Sequence, residues 1–159
     1  MIHFRYEING GLERHKEVSM KVKNIMNKQI VSLPAEATIH DAAIKMRENR
    51  VGSILIMGEG GKLEGILTDR DIAMAAAADC RDPKKSCAYD IMMTEPITIQ
   101  ANADLEAALR VMNTTNVRRL PVCEKGKVVG LVSSADIAVE IREEINQFMG
   151  LEEAFAKHA

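Results

Sequence analysis

The chain has 159 residues, 47% of them hydrophobic and 28% charged, which excludes wholesale disorder and suits one ordinary domain or two small repeats sharing a core. Its formal net charge of −2 gives no reason to expect non-specific binding to nucleic acid or to an anionic membrane. No apolar run reaches the roughly 20 residues that span a bilayer, the first residues lack the pattern of a secretory signal, and Cys80, Cys87 and Cys123 show no metal-binding spacing, so free thiols and a cytoplasmic location are expected.

Residues 1–19 stand apart from the rest of the chain. Ile2, Phe4, Tyr6 and Ile8 alternate with polar residues, a strand-like period of two, and Asn9-Gly10-Gly11 reads as a turn. An added strand, a disordered arm and a leader ahead of Met20 all fit. From Met20 a pattern begins that recurs 66 residues later: Ile25-Met26 answers to Ile91-Met92, Ala42 and Met46 to Ala108 and Met112, Val51 to Val117. Beyond the glycine loop the offset is 65, so one residue is missing from the second loop, where length changes cost least.

Each copy reads in the same order. A helical turn comes first (Val22 to Met26; Ala88 to Met92), then a short extended segment (Ile30 to Leu33; Ile97 to Ile99). A helix comes next, with apolar residues at helical spacing: Ile39, Ala42, Ala43 and Met46, then Leu105, Ala108, Leu109 and Met112, with Thr38 and Asp104 near the starts. Two strands joined by a glycine turn succeed it: Val51 to Met57 with Leu63 to Leu67, and Val117 to Cys123 with Val128 to Val132. A last helix opens at a hydroxyl residue. In the first copy it is alanine-rich and stops before Asp82-Pro83, the natural boundary between repeats. In the second it continues with Ile137, Ile141, Ile145 and Phe148 on one face, which predicts packing against its own module or a dimer contact, and Gly150 is expected to end it. The division is therefore 1–19 extension, 20–82 first repeat, 83–140 second repeat and 141–159 terminal helix and tail. A unit of this size buries too little surface to stand alone, so two copies packed face to face, with clefts related by a pseudo-twofold axis, are expected.

The stretch that organises the chain occurs twice. Gly65-Ile66-Leu67-Thr68-Asp69-Arg70-Asp71-Ile72 returns as Gly130-Leu131-Val132-Ser133-Ser134-Ala135-Asp136-Ile137. The hydroxyl residue and the aspartate three positions on match a helix capping box, and on spacing alone they need be nothing more. With the Ile-Met pairs, the Leu120-Pro121-Val122 strand and the repeated order, the chain resembles over residues 20 to about 140 a tandem pair of cystathionine-β-synthase-type (CBS) domains, a Bateman module. The resemblance implies an α+β fold of two βαββα CBS repeats packed through their sheets with pseudo-twofold symmetry. It further implies a stand-alone regulatory module, not an enzyme, that is often a homodimer.

The same resemblance implies binding of an adenosine-containing ligand such as AMP, ADP, ATP or S-adenosylmethionine between the repeats, with no cofactor required and an unknown regulated partner protein. A purely structural dimerisation module without a ligand is the alternative. The site residues so implied are Thr68 with Asp71 and Ser133 with Asp136, the carboxylates accepting from ribose hydroxyls and the hydroxyls donating to phosphate. Arg118 and Arg119 stand opposite Gly52 and Ser53 of the first repeat and suit phosphate oxygens, with Pro121 on the same strand and Arg70 a weaker candidate. Strand alternation admits at most one of Arg118 and Arg119 to a given cleft. Unequal surroundings predict two related clefts of unequal affinity. His3, His15, His40 and His158 are scattered, and the methionines fall on apolar positions expected in the core. No catalytic acid, base and nucleophile can be assembled.

Overall fold

The computed structural model describes the backbone of residues 20–156 and the side chains of residues 20–150. The expectations for residues 1–19 lie outside these. The first repeat holds α1 (Val22–Ile25), β1 (Ser32–Leu33), α2 (Ile39–Asn49), β2 (Ser53–Met57), β3 (Leu63–Thr68) and α3 (Asp69–Ala77). The second opens with a 3-10 turn (Ala88–Asp90) and β4 (Met93–Thr94), then β5 (Ile99–Gln100), α4 (Leu105–Thr115), β6 (Arg119–Glu124), β7 (Lys127–Ser133) and α5 (Ser134–Ala156).

The strand order is β1-β2-β3-β4 in one sheet and β5-β6-β7 in the other. Within each, the first strand runs parallel to its neighbour and the glycine-linked pair is antiparallel. The parallel pair is possible because α2 or α4 supplies the crossover. Helix starts are set by sequence: Thr38 caps α2 through a capping box with Asp41, worth about 1 kcal/mol. Asp104 precedes α4 without a side-chain cap, its carboxylate instead meeting Lys21 Nζ at 2.6 Å.

Two cores form, and neither is built from one repeat alone. Val22, from the opening turn of the first repeat, is fully buried among Ile99, Met112, Leu120 and Val132 of the second. Ala88 and Met92, from the opening turn of the second, are buried among Val31, Met46, Ile54 and Leu67 of the first. The repeats thus exchange their opening turns. Matching contacts mark the exchange: Lys21 bridges Asp104 as Cys87 bridges Thr38, and Asn27 pairs with Leu131 where β4 pairs with β3. The boundary at 82/83 divides the order of elements but not the cores.

Gly65 and Gly130 permit this crossing. A Cβ on Gly65 would lie 2.4 Å from Met92 Sδ and 2.9 Å from the Met93 carbonyl oxygen. One on Gly130 would lie 2.7 Å from Met26 Sδ and 2.8 Å from the Asn27 carbonyl oxygen. On the opposite faces of the strands, Leu55 and Ile66 of one sheet and Pro121 of the other are also buried. With one face of each sheet on its own core, period two turns these side chains toward the other repeat.

Four expectations are corrected. Gly150 does not end α5, which runs on to Ala156; an interior glycine costs only about 1 kcal/mol against alanine. The α5 stripe does not pack on its own module beyond Ile137: Ile141 is 40% and Ile145 46% exposed, because α5 extends past the strands that cover its first turn. Ala43 and Leu109 face solvent, the apolar stripe of their helices being narrower than read. Met74 and Met93 are about half exposed and lie outside the core, whereas Met46, Met92 and Met112 are buried.

Candidate functional site

Each organising stretch begins as an edge of the inter-repeat contact and ends as a helix start. Thr68 is extended (φ −114, ψ 161) and forms the N-cap of α3. Its backbone N–H donates to Asp71 Oδ2 at 2.9 Å, its hydroxyl donates to the same oxygen at 2.6 Å, and the Asp71 N–H donates back to Oγ1 at 3.3 Å. Ser133 and Asp136 repeat this at 2.8, 2.7 and 3.2 Å. The capping box is therefore present in both copies. A hydroxyl has one proton to give, and here it goes to the aspartate. Donation from Thr68 or Ser133 to a phosphate, as the resemblance implied, would require the box to open. What remains is Oδ1 of each aspartate, which has no protein partner among the described residues.

A cleft of about 230 Å³ opens beside the first stretch, between the repeats. Its polar side carries Thr68, Asp69, Arg70 and Asp71 from the first repeat and Arg118 and Arg119 from the second. Its apolar side carries Ile66, Met93, Pro96, Ile97 and Val117. Among the described residues, none of Arg70, Arg118 and Arg119 makes an ion pair. Both Arg118 and Arg119 line the cleft, against the expectation from strand alternation. The reason is local: β6 starts at Arg119, and Arg118 lies in the bend before it, where period two does not apply. The backbone there is tied down, since the Arg118 carbonyl accepts from Ser134 N–H at 2.9 Å.

The pseudo-equivalent place holds a cavity of about 30 Å³, lined by Val31, Val51, Ser53, Leu55 and Leu131 among others. Ser133 and Asp136 are not in its lining. Ser53 stands where Arg119 stands in the larger cleft, and short or apolar side chains close the space that the guanidinium groups border on the other side. Gly52 lines neither space. It lies beneath the larger one: a Cβ there would sit 3.0 Å from both Arg119 Nη2 and Asp69 Oδ2. Pro121 is fully buried in β6 and lines neither cavity.

Of the residues singled out from sequence, Thr68, Asp71, Arg70, Arg118 and Arg119 converge on one cleft. Ser133, Asp136 and Ser53 belong to the other side of the pseudo-symmetry. Asp69, Met93, Pro96 and Ile97 were missed. Met93 and Ile97 are exposed apolar residues flanking a proline, 49% and 39% accessible, and that segment was the available signal.

A protein-family model described as CBS domain matches residues 22–78 and again residues 88–143, most of the chain. The chain belongs to the CBS domain family. The CBS pair is 36% identical over 121 residues to hypoxic response protein 1 of Mycobacterium tuberculosis, covering 76% of this chain and 85% of that protein. The crystal structure of that protein, with two coordinated zinc ions, superposes with a TM-score of 0.67 at 35% identity, covering 75% of this chain and 97% of that one. Among the described residues here, no group of three or more His, Cys, Asp or Glu is placed to hold a metal ion.

The CBS domain pair of protein MJ0100, solved with 5′-methylthioadenosine and S-adenosyl-L-methionine, gives a TM-score of 0.73 at 28% identity, covering 79% of this chain and 98% of that one. A hexameric CBS-CP12 protein from bloom-forming cyanobacteria gives 0.72 at 27% identity, covering 76% of this chain and 67% of that one. The two-sheet α+β architecture is that of these pairs. No helix among the described residues is long and apolar enough to cross a membrane.

Proposed function

We propose that this CBS pair is a regulatory module, without catalysis of its own, that binds an adenine nucleotide or related adenosyl ligand in the larger cleft. The observation that carries the reading is the joining, across the repeats, of a capped aspartate with a free oxygen to arginines that lack an ion-pair partner. Asp71 Oδ1 is an acceptor for ribose hydroxyls, a charge-assisted bond stronger than a neutral one. Arg118 and Arg119 offer planar forks to phosphate oxygens. Ile66, Met93 and Ile97 give the base an apolar wall. A ligand held by both repeats favours the arrangement in which they are close, and that differential affinity is what a partner protein reads.

The test is thermal unfolding with AMP, ADP, ATP and S-adenosylmethionine. At 100 times the dissociation constant, a ligand stabilises by about 2.7 kcal/mol. Asp71→Ala is expected to abolish the ligand-dependent shift, and Asp136→Ala to keep it. No shift with any of the four, or a full shift in Asp71→Ala, refutes the reading.

A second reading, that the module self-associates, is favoured by the exposed face of α5, where Ile141, Ile145 and Met149 are 40–56% accessible. We infer a homodimer through this face, a second copy offering the same apolar stripe. Light scattering of wild type against the Ile141→Glu, Ile145→Glu double variant checks it, and a mass unchanged by the substitutions rejects it.

A further inference from the structure

We propose that Asp69 is a specificity residue of the larger cleft: its carboxylate competes with ligand phosphate for Arg119 and so disfavours ligands with many phosphates. The inference rests on the reading of that cleft as a nucleotide site and adds to it a choice among nucleotides. Asp69 is the first residue of α3, where any acidic residue is favoured by the helix dipole. The dipole accounts for the charge but not for its direction. Oδ1 accepts from the Arg70 N–H at 2.8 Å, which turns the group so that Oδ2 lies over Gly52. Arg119 Nη2 reaches the same point from the second repeat. Each atom is 3.0 Å from where a Gly52 Cβ would stand, so the two are no more than twice that distance apart.

They nevertheless form no direct ion pair. Arg119 therefore feels Asp69 without being spent on it, and its fork stays open to the cleft. An anion entering beside Arg119 meets the attraction of the guanidinium and the repulsion of Asp69 at similar range. The repulsion from Asp69 grows with each charge the ligand brings, so it offsets part of the attraction of Arg119 and takes more from a polyphosphate than from a monophosphate. The second copy has Ser134 at this position, so the device belongs to one cleft alone. Gly52 is part of it, since a side chain there displaces one group or the other.

The experiment is isothermal titration of wild type and Asp69→Asn with adenosine, AMP and ATP, each at low and high salt. Asparagine keeps an oxygen acceptor for the Arg70 N–H, removes the charge and puts an amide NH2 in place of Oδ2, a change whose effect, unlike that of the charge, does not shrink with salt. The variant is expected to bind ATP roughly tenfold and AMP roughly threefold more tightly at low salt, with both gains shrinking at high salt and adenosine unchanged. In an Arg119→Gln background the effect of Asp69→Asn on ATP should fall markedly, the sign of coupling between the two. Equal changes for all three ligands, or weaker ATP binding in the variant, overturns the proposal while leaving the site in place. Binding of none of the three to either protein overturns the nucleotide reading itself, and this inference with it.

Discussion

Substituting Gly65 by alanine tests the exchange of opening turns at its tightest point. The added methyl would lie 2.4 Å from Met92 Sδ, 2.9 Å from Met92 Cγ and 2.9 Å from the Met93 carbonyl oxygen. Met92 ends in a flexible thioether and can swing, but it is only 9% exposed and has little room among its core neighbours. The carbonyl cannot swing, because it belongs to β4, which pairs with β3 at Gly65–Thr94 and Ile66–Met93. Relief therefore requires β4 to move off the sheet edge, loosening the bond from Glu95 N–H to the Glu64 carbonyl. Overpacking of this kind costs about 1–3 kcal/mol, and a weakened backbone bond adds up to about 1 kcal/mol. A loss of about 2 kcal/mol is expected, which for a urea slope of about 2 kcal/mol per molar shifts the midpoint down by roughly 1 M. Because Met93 also lines the cleft, ligand affinity should fall in the same variant. A midpoint within about 0.2 M of wild type shows that β4 is not held where the structure puts it, and the exchange is then wrong.

Gly150→Ala should have the opposite sign. Nothing lies within 4 Å of a Cβ there and the residue sits inside α5, so alanine is expected to stabilise by about 0.5–1 kcal/mol, measured as a higher urea midpoint. Asp41 is held below the usual carboxylate range by the Thr38 hydroxyl and then by the Thr38 N–H. A lowered folded-state value means that its contribution is present above the unfolded value of about 3.9 and is lost as the pH falls through the folded one. Asp41→Asn should therefore flatten the acid limb of the stability–pH curve below about pH 4, and an unchanged limb counts against the capping box. Ser133→Ala should destabilise by about 1 kcal/mol through loss of the α5 cap while leaving nucleotide affinity unchanged, because Ser133 does not line the larger cleft. A titration showing a large affinity loss instead would place a ligand on the second side.

The fold was legible because the sequence states it twice. Apolar residues at helical spacing, the glycine turns and the hydroxyl-to-aspartate boxes each recur at one offset, and local patterns of this kind fix local elements. The exchange of opening turns was not legible. Ile25-Met26 and Ile91-Met92 announce themselves as apolar, but nothing in periodicity says which core they enter. The signal that comes nearest is the pair Gly65 and Gly130, and a glycine marks a close approach without naming what approaches. At the cleft, Thr68 and Asp71 follow from the repeated stretch read with the family resemblance, and Arg118 and Arg119 from their contrast with Gly52 and Ser53. Asp69 differs from its counterpart Ser134 just as those arginines do, but an acidic residue at a helix start has a sufficient local explanation in the helix dipole. The expectation for Arg118 failed because strand alternation was extended one residue beyond the strand.

The capping box and the proposed ligand role of Asp71 are compatible, since Thr68 can cap while Asp71 faces the cleft, and on the proposed reading the box supports the role. A free aspartate on a helix start turns about its side-chain bonds, and a ligand that needs it must first order it, at a cost of about 0.5–1.5 kcal/mol for a flexible side chain. Here Oδ2 is held by both the N–H and the hydroxyl of Thr68, at 2.9 and 2.6 Å. The carboxylate is thus already ordered, and on the proposed reading Oδ1 is the oxygen offered to the ligand and Thr68 acts on binding by holding Asp71 in place. The same box in the second copy shows that a cap alone does not make a site. Ser133 and Asp136 are ordered just as well, yet the neighbouring cavity of about 30 Å³ is closed by valine and leucine side chains. What distinguishes the first side is its charged lining: Asp69 and Arg70 stand where the second copy has Ser134 and Ala135, and Arg118 and Arg119 stand where the first repeat has Gly52 and Ser53. The charged residues border a cleft of about 230 Å³, whereas their short counterparts leave a packing seam of about 30 Å³.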